Sequence, residues 1–60
     1  MTDDFFDSLP LLLPVSRAAQ ILGISRSAGY RATESGELAT LRLGGRVYVI
    51  TQSLRDLLAA

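Results

Sequence analysis

Glycines divide residues 18–50 into short segments at three places, and their spacing limits what the chain can fold into. The first two each follow a segment with helical character, and the third place is a pair between two aliphatic runs. Glycine adopts the left-handed backbone that ends helices and closes tight hairpins. The order therefore predicts two short helices that end at Gly23 and Gly36, and then a hairpin that turns at Gly44-Gly45.

The first of these helices is predicted over Val15–Leu22, where apolar residues recur at helical spacing. Pro14 suits its first turn, because a backbone donor is not needed there. Gly23 ends the helix, and Ile24 is predicted to be the buried pivot of the turn that follows. The preceding Leu11–Leu13 is expected to form a short strand or an extended arm.

The second helix is predicted over Arg26–Ser35, with Ser25 as its N-cap. At about 100° per residue, its polar side chains fall on one arc of roughly 140°. The opposite side carries only small residues and can pack closely against a neighbour. Gly29 within it should cost about 1 kcal/mol relative to alanine. The polar arc holds Arg26, Ser27, Tyr30, Arg31 and Glu34, and the small side holds Ala28, Gly29 and Ala32.

For the hairpin we predict a three-residue loop, because it places four aliphatic side chains on one face. A two-residue loop is the alternative, and it mixes polar and apolar groups on both faces. One objection to the longer loop is that its last position favours glycine, whereas Arg46 stands there. The longer loop pairs Leu43 with Val47 and Leu41 with Val49, and leaves Thr40, Arg42, Tyr48 and Ile50 on the outer face.

The two ends of the chain carry different predictions. We expect residues 1–10 to be an acidic leader and residues 11–60 to be the folded domain. Phe5, Phe6 or Leu11 could fold back to restore the volume missing at Gly29. Alternatively, Phe5 and Phe6 could form a sticky arm for another copy of the protein, or the leader could be a frayed tail. At the other end, the sequence predicts a short helix capped by Thr51, with Leu54, Leu57 and Leu58 facing inward.

Composition excludes several classes of protein. The 60 residues include no cysteine and no histidine, which argues against a disulfide framework, a thiolate zinc site and the commonest general base. We expect no enzymatic activity, no cofactor and no metal. The start has no basic region typical of a secretory signal, and prolines interrupt the apolar run 9–15. The sequence thus predicts a cytoplasmic protein without a membrane partner.

The formal net charge is zero, but its distribution is uneven. The first seven residues contain three aspartates and no basic residue. Residues 8–60 contain six arginines against three acidic residues, a net charge of +3. The predicted domain is therefore modestly basic, and arginine suits phosphate and guanine well.

Taken together, these elements predict an α+β fold, a small winged helix-turn-helix with about three helices and a two-stranded wing. The chain resembles the excisionase-type DNA-binding domain, and in outline the N-terminal domain of MerR-type regulators. The resemblance covers roughly residues 12–58 and is carried by Ala18-Ala19, Leu22-Gly23, Ser25-Arg26-Ser27, Tyr30-Arg31, Ser35-Gly36-Glu37-Leu38, Arg42, Gly44-Gly45-Arg46 and Leu54.

This resemblance implies a recombination directionality factor of a phage or mobile element. Such proteins bind double-stranded DNA beside an attachment site, bend it and bias an integrase toward excision. MerR-type regulators normally carry a long dimerisation helix and an effector domain, for which a chain ending at Ala60 has no room. A small transcriptional regulator or phage repressor is the alternative. A protein-interaction module that binds an integrase without reading DNA is an alternative of another class.

The candidate DNA contacts lie on the second helix and the wing. Arg26 opposes the helix dipole at a cost of about 0.3–1 kcal/mol, which favours a functional reason for its position. Arg46 is predicted to reach the minor groove beside a glycine turn that lets the backbone approach DNA. Because one copy covers little DNA, we expect several copies side by side. The candidates are Arg17, Ser25, Arg26, Ser27, Tyr30, Arg31, Arg42, Gly44, Gly45 and Arg46.

Overall fold

The computed structural model describes residues 2–59, with side chains from residue 5 onward. This description leaves out Met1 and the side chains of residues 2–4, including Asp3 and Asp4, which belong to the predicted leader. It also leaves out Ala60, the last residue of the predicted domain. No helix within the described range is long and apolar enough to cross a membrane. The elements are α1 (Thr2–Asp7), β1 (Leu12–Pro14), α2 (Val15–Leu22), α3 (Arg26–Ser35), β2 (Thr40–Leu43), β3 (Arg46–Ile50) and α4 (Thr51–Ala59).

The architecture is a small α+β fold with a helix-turn-helix at its centre, as the sequence predicts. Over residues 2–59 it has four helices and three antiparallel strands, rather than about three helices and two strands. The additional helix is α1, within the predicted leader, and the additional strand is β1. Strand β1 forms because Leu12–Pro14 pairs with the end of β3, which resolves the alternatives of strand or arm.

The turn between α2 and α3 is closed by backbone hydrogen bonds. Gly23 has a left-handed φ of 75°, as predicted. Its N–H donates to the Gln20 carbonyl at 3.1 Å, and the Ile24 N–H donates to the Ala19 carbonyl at 3.0 Å. These bonds satisfy carbonyls that the helix end leaves free. They also set the path of the turn and leave Ile24 39% exposed, so its predicted burial is wrong.

Helices α2 and α3 pack through their small side chains. Gly29 is buried, and a Cβ placed on it would lie 3.0 Å from the Cβ of Ala19 and 3.5 Å from Cγ1 of Val15. The small side of α3 is therefore filled by close approach of α2. The idea that a leader phenylalanine fills the space at Gly29 is not needed, because Val15 and Ala19 occupy it.

The sheet has the order β1-β3-β2, with β3 in the middle. In the hairpin, Leu43 lies opposite Arg46 and Leu41 opposite Tyr48. The loop is thus the two-residue Gly44-Gly45, and the predicted three-residue loop is wrong. The φ angles of the two glycines are 57° and 80°. Two consecutive positive φ values match the twist of hairpin strands, which explains why the shorter loop is preferred.

This register also changes the predicted faces of the hairpin. Val49 is buried and Val47 half-buried on the helix side of the sheet, and Thr40 and Arg42 lie opposite them on the same face. Leu41 and Leu43 lie on the outer face, with exposed fractions of 45% and 51%. The four aliphatics therefore do not share a face. Because β2 is an edge strand beyond the core, all four of its residues are exposed.

The core draws on both ends of the chain. Phe6 of α1 is 5% exposed and joins a buried cluster with Leu13, Val15, Ala18, Leu38, Val49 and Leu54. Phe5 is exposed and stacks edge-on against Phe6. The leader thus contributes a side chain to the core, although the division into residues 1–10 and 11–60 stays a prediction.

Helix α4 differs from its prediction in two respects. Leu54 is fully buried, but Leu57 and Leu58 are 44% and 50% exposed rather than inward-facing. Thr51 does not act as the predicted cap. It is the first residue of α4, it is buried, and its hydroxyl donates to the Pro10 carbonyl, so it joins the start of α4 to the chain just before β1.

Candidate nucleic-acid interface

The exposed face of α3 carries the polar arc that the sequence predicts. Arg26, Ser27 and Arg31 are exposed, and Tyr30 is 48% exposed. Gly29 on the opposite side is buried against α2. Because the small residues fix that side against the neighbouring helix, the arginines and the tyrosine of α3 point away from the core.

Ser25 holds the start of α3 in place. Its backbone is extended, and its side-chain oxygen accepts a hydrogen bond from the Ala28 N–H at 3.1 Å. This bond satisfies one of the amide groups that the first turn leaves free. The structural part of the prediction for Ser25 is therefore confirmed. The cap fixes the direction in which the next residue, Arg26, leaves the helix.

Arg26 and Arg46 line the same cleft. It has a volume of about 410 Å³ and lies between α3, the start of α2 and the wing. Arg26 and Tyr30 come from α3, and Arg46 and Tyr48 come from β3. The remaining lining residues are Pro14, Val15, Ser16, Gly45 and Val47. Two arginines and two tyrosines thus contribute to the lining of one space that is open to solvent.

The start of α2 adds to the electrostatic character of this cleft. Pro14 precedes the helix with no side-chain cap hydrogen bond, and no acidic residue lies in its first turn. The free amides of a helix start carry a partial positive charge and favour anions. Together with Arg26 and Arg46, they make the cleft a favourable place for a phosphate group.

The arginines near this surface are not neutralised by acidic side chains. Among the side chains described for residues 5–59, the five arginines outside α4 form no ion pair. The sixth, Arg55 on α4, lies 3.2 Å from a carboxylate oxygen of Asp7. The positive charge around α3 and the wing therefore faces solvent and is available to an external polyanion. The five are Arg17, Arg26, Arg31, Arg42 and Arg46.

The structure brings together only part of the predicted set. Four of the ten candidates line the cleft, namely Arg26, Tyr30, Gly45 and Arg46. Gly44 forms the wing turn beside it. Arg42 lies on the helix side of β2 rather than on the predicted outer face of the wing, because the loop is one residue shorter. Those outside the cleft lining are Arg17, Ser25, Ser27, Arg31, Arg42 and Gly44.

Sequence reasoning missed Tyr48 and Ser16, which also line the cleft. Tyr48 lies opposite Pro14 in the sheet, so it reaches this space through the pairing of β1 with β3. Ser16 reaches the cleft because it lies in the first turn of α2, two residues after Pro14. Neither placement follows from the faces of α3 alone.

Comparison with protein-family models identifies the family of this domain. A model of the helix-turn-helix domain matches residues 12–60, which include both helices, the wing and α4. The chain belongs to this helix-turn-helix family, a DNA-binding family that includes excisionase-like proteins. Its members are typically non-enzymatic. Comparisons with curated proteins and with solved structures found no match.

Proposed function

We propose that this protein binds double-stranded DNA at specific sequences, with α3 in the major groove and the wing along the adjacent backbone. The observation that carries the proposal is the cleft shared by Arg26 and Arg46. Helix-turn-helix domains read base edges with the first residues of the second helix. Arg26 is the first residue of α3, so it would meet a guanine edge or a phosphate.

The wing supplies the second contact. Its tip is a glycine pair, so no side chain keeps the backbone away from a sugar-phosphate strand. Arg46 follows the turn directly and would enter the neighbouring minor groove, where narrow A·T-rich stretches attract arginine. Tyr30 and Tyr48 would hold the phosphate between the two grooves by hydroxyl donation.

The biological role that we propose is that of an excisionase-like factor, which binds beside an attachment site, bends the DNA and directs an integrase toward excision. The support is the resemblance across residues 12–58 and the small size of the DNA-binding surface. One copy covers little DNA, so several copies would bind side by side. A footprint on an attachment region tests this arrangement, since protection of one isolated half-site contradicts it.

The DNA contact itself is tested with duplexes selected from a random library. We expect Arg26→Ala and Arg46→Ala each to weaken binding by about 1–3 kcal/mol. Arg55→Gln is the matched control, because it removes the same charge from α4 and should leave affinity nearly unchanged. Parental affinity in both cleft variants would refute the groove arrangement.

Measurements of DNA binding, DNA bending and excision together separate the alternative functions. If the parent binds none of the selected or random duplexes, the protein-interaction module that binds an integrase becomes the better explanation. If DNA is bound but not bent in a circular-permutation gel, and excision by the integrase of the same element is unchanged, a small transcriptional regulator is favoured.

A further inference from the structure

Leu43 is an exposed apolar residue at the tip of the wing. It is 51% exposed, it directly precedes the Gly44-Gly45 turn, and it does not belong to the buried core. Across the turn it lies opposite Arg46, the residue that we assign to the minor groove. Because leucine gains free energy when it leaves water, the fold keeps unused apolar surface where the wing would first meet DNA.

Leu43 and Arg46 leave the hairpin on the same face. Residues directly opposite each other in an antiparallel pair project to one side, with Cβ atoms about 4.5–5.5 Å apart. The minor groove of DNA is about 6 Å wide. A wing that places Arg46 in that groove therefore brings Leu43 to the groove as well. No charge repulsion opposes this approach, since residues 40–50 contain two arginines and no acidic residue.

Leu41 provides an internal reference for this position. It lies on the same face and is 45% exposed, but it is opposite Tyr48, two residues further from the turn than Leu43. At about 3.4 Å per residue, Leu41 lies roughly 7 Å behind Leu43. The minor groove is about 7.5 Å deep. Leu43 can therefore reach the base edges while Leu41 stays at the level of the sugar-phosphate backbone.

We propose that Leu43 is a wedge that enters the minor groove beside Arg46 and partly unstacks one base step. Proteins that insert leucine and similar apolar side chains from the minor groove kink the duplex in this way. The inference rests on the proposed function and deepens it, because it assigns the proposed DNA bend to one side chain. The pyrimidine–purine steps TA and CA unstack most readily, so we expect one of them beneath the wing.

Unstacking is measured with 2-aminopurine, an adenine analogue whose fluorescence rises when it leaves the base stack. A duplex selected from a random library is prepared as a series that carries the analogue at one adenine at a time. The parent should raise the fluorescence at one step, roughly 5 base pairs or half a helical turn from the centre of the α3 contact. Leu43→Ala should lose this rise and reduce the bend in a circular-permutation gel. Its affinity should fall by less than about tenfold, because the variant also avoids the cost of unstacking.

Two matched variants separate a wedge from a general effect of the wing. Leu41→Ala removes the same atoms from the same face, and it should keep both the fluorescence rise and the bend. Leu43→Met restores an apolar side chain of similar size, and it should recover both. Because the two leucines are about half exposed, all three substitutions should leave the melting temperature nearly unchanged, and a thermal melt verifies this.

The sequence of the duplex provides a second test. Replacement of the TA or CA step beneath the wing by AA stiffens this step, so the affinity of the parent should fall by about tenfold. Leu43→Ala inserts no wedge there, so its affinity should change by less than about threefold. Equal losses for the parent and the variant would contradict the wedge, because only insertion makes binding sensitive to how readily this step unstacks.

The outcomes distinguish the wedge from DNA binding itself. If the parent shifts the duplex in a gel but raises the fluorescence at no step, the wedge is refuted and the DNA-binding function stands. The same holds if Leu43→Ala keeps the rise, and the exposed leucines of β2 are then assigned to a protein partner. If the parent binds no selected or random duplex, the DNA-binding proposal fails, and the wedge fails with it.

Discussion

Gly29 of α3 approaches α2 so closely that a Cβ on it would lie 3.0 Å from the Cβ of Ala19. This distance explains a glycine that helix propensity alone would disfavour. The close approach lets α2 hold α3 firmly, and so fixes the direction in which Arg26 and Tyr30 leave the opposite side. The packing of one residue thus positions the proposed DNA contacts.

The first prediction concerns this close approach. Gly29→Leu should destabilise the protein by about 1–3 kcal/mol, because a well-packed interface must open to admit the side chain. For a domain of this size that lowers the melting temperature by about 4–8 °C per kcal/mol. Ser27→Leu is the control, since Ser27 is exposed on the same helix and the change should stay within about 0.5 kcal/mol. Equal melting temperatures for both variants would contradict the packing argument.

The second prediction concerns the wing turn. Gly45 has a φ of 80°, where a side chain is strained by about 1–2 kcal/mol, so Gly45→Val should destabilise the hairpin. Gly44→Asn should be tolerated, because Asn-Gly is a preferred sequence for a two-residue turn with two positive φ angles. Thermal melts of the two variants check the contrast. Similar losses in both would indicate that the loop is not this turn.

The third prediction concerns the leader. Phe6→Ala should cost about 3–5 kcal/mol, because it removes a buried aromatic ring from the core. Phe5→Ala is the matched control and should cost much less, since Phe5 is 45% exposed. Deletion of residues 1–8 should lower the melting temperature at least as much as Phe6→Ala. A deletion variant that melts at the parental temperature would show that the leader does not stabilise the domain.

The fourth prediction concerns salt. If one copy makes about three to five arginine–phosphate contacts, log affinity should fall with log salt with a slope of roughly −3 to −4.5. A phosphate contact contributes a slope of about −0.9, so removing one arginine from such a contact should flatten the slope by that amount. Titrations at four salt concentrations with Arg31→Ala and Arg55→Gln test this. Equal slopes for both variants and the parent would argue against a backbone contact by Arg31.

Much of the fold could be predicted because its signals are local. The bounds of α2 and α3 match Val15–Leu22 and Arg26–Ser35, since helical periodicity and terminal glycines act over a few residues. The hairpin register could not be predicted from aliphatic content alone. Leu41 and Leu43 look like core residues, but β2 is an edge strand that extends beyond the core.

The candidate interface shows the same division between local and long-range information. The faces of α3 predicted that Arg26 and Tyr30 point outward together, and they line one cleft. The presence of Tyr48 in that cleft depends on the pairing of β1 with β3, across more than thirty residues of sequence. Packing between residues far apart in the sequence also buries Phe6 in the core. The acidic segment around Phe6 did not allow that burial to be predicted.

The strand order β1-β3-β2 has a consequence for synthesis of the protein on the ribosome. Strand β1 pairs with β3 and not with β2, and the Thr51 N–H donates to the Leu11 carbonyl at 2.9 Å. Until residues 46–51 have left the exit tunnel, β1 has no strand to join, and α3 rests on an incomplete core. The growing chain should therefore acquire its native shape late and in one concerted step.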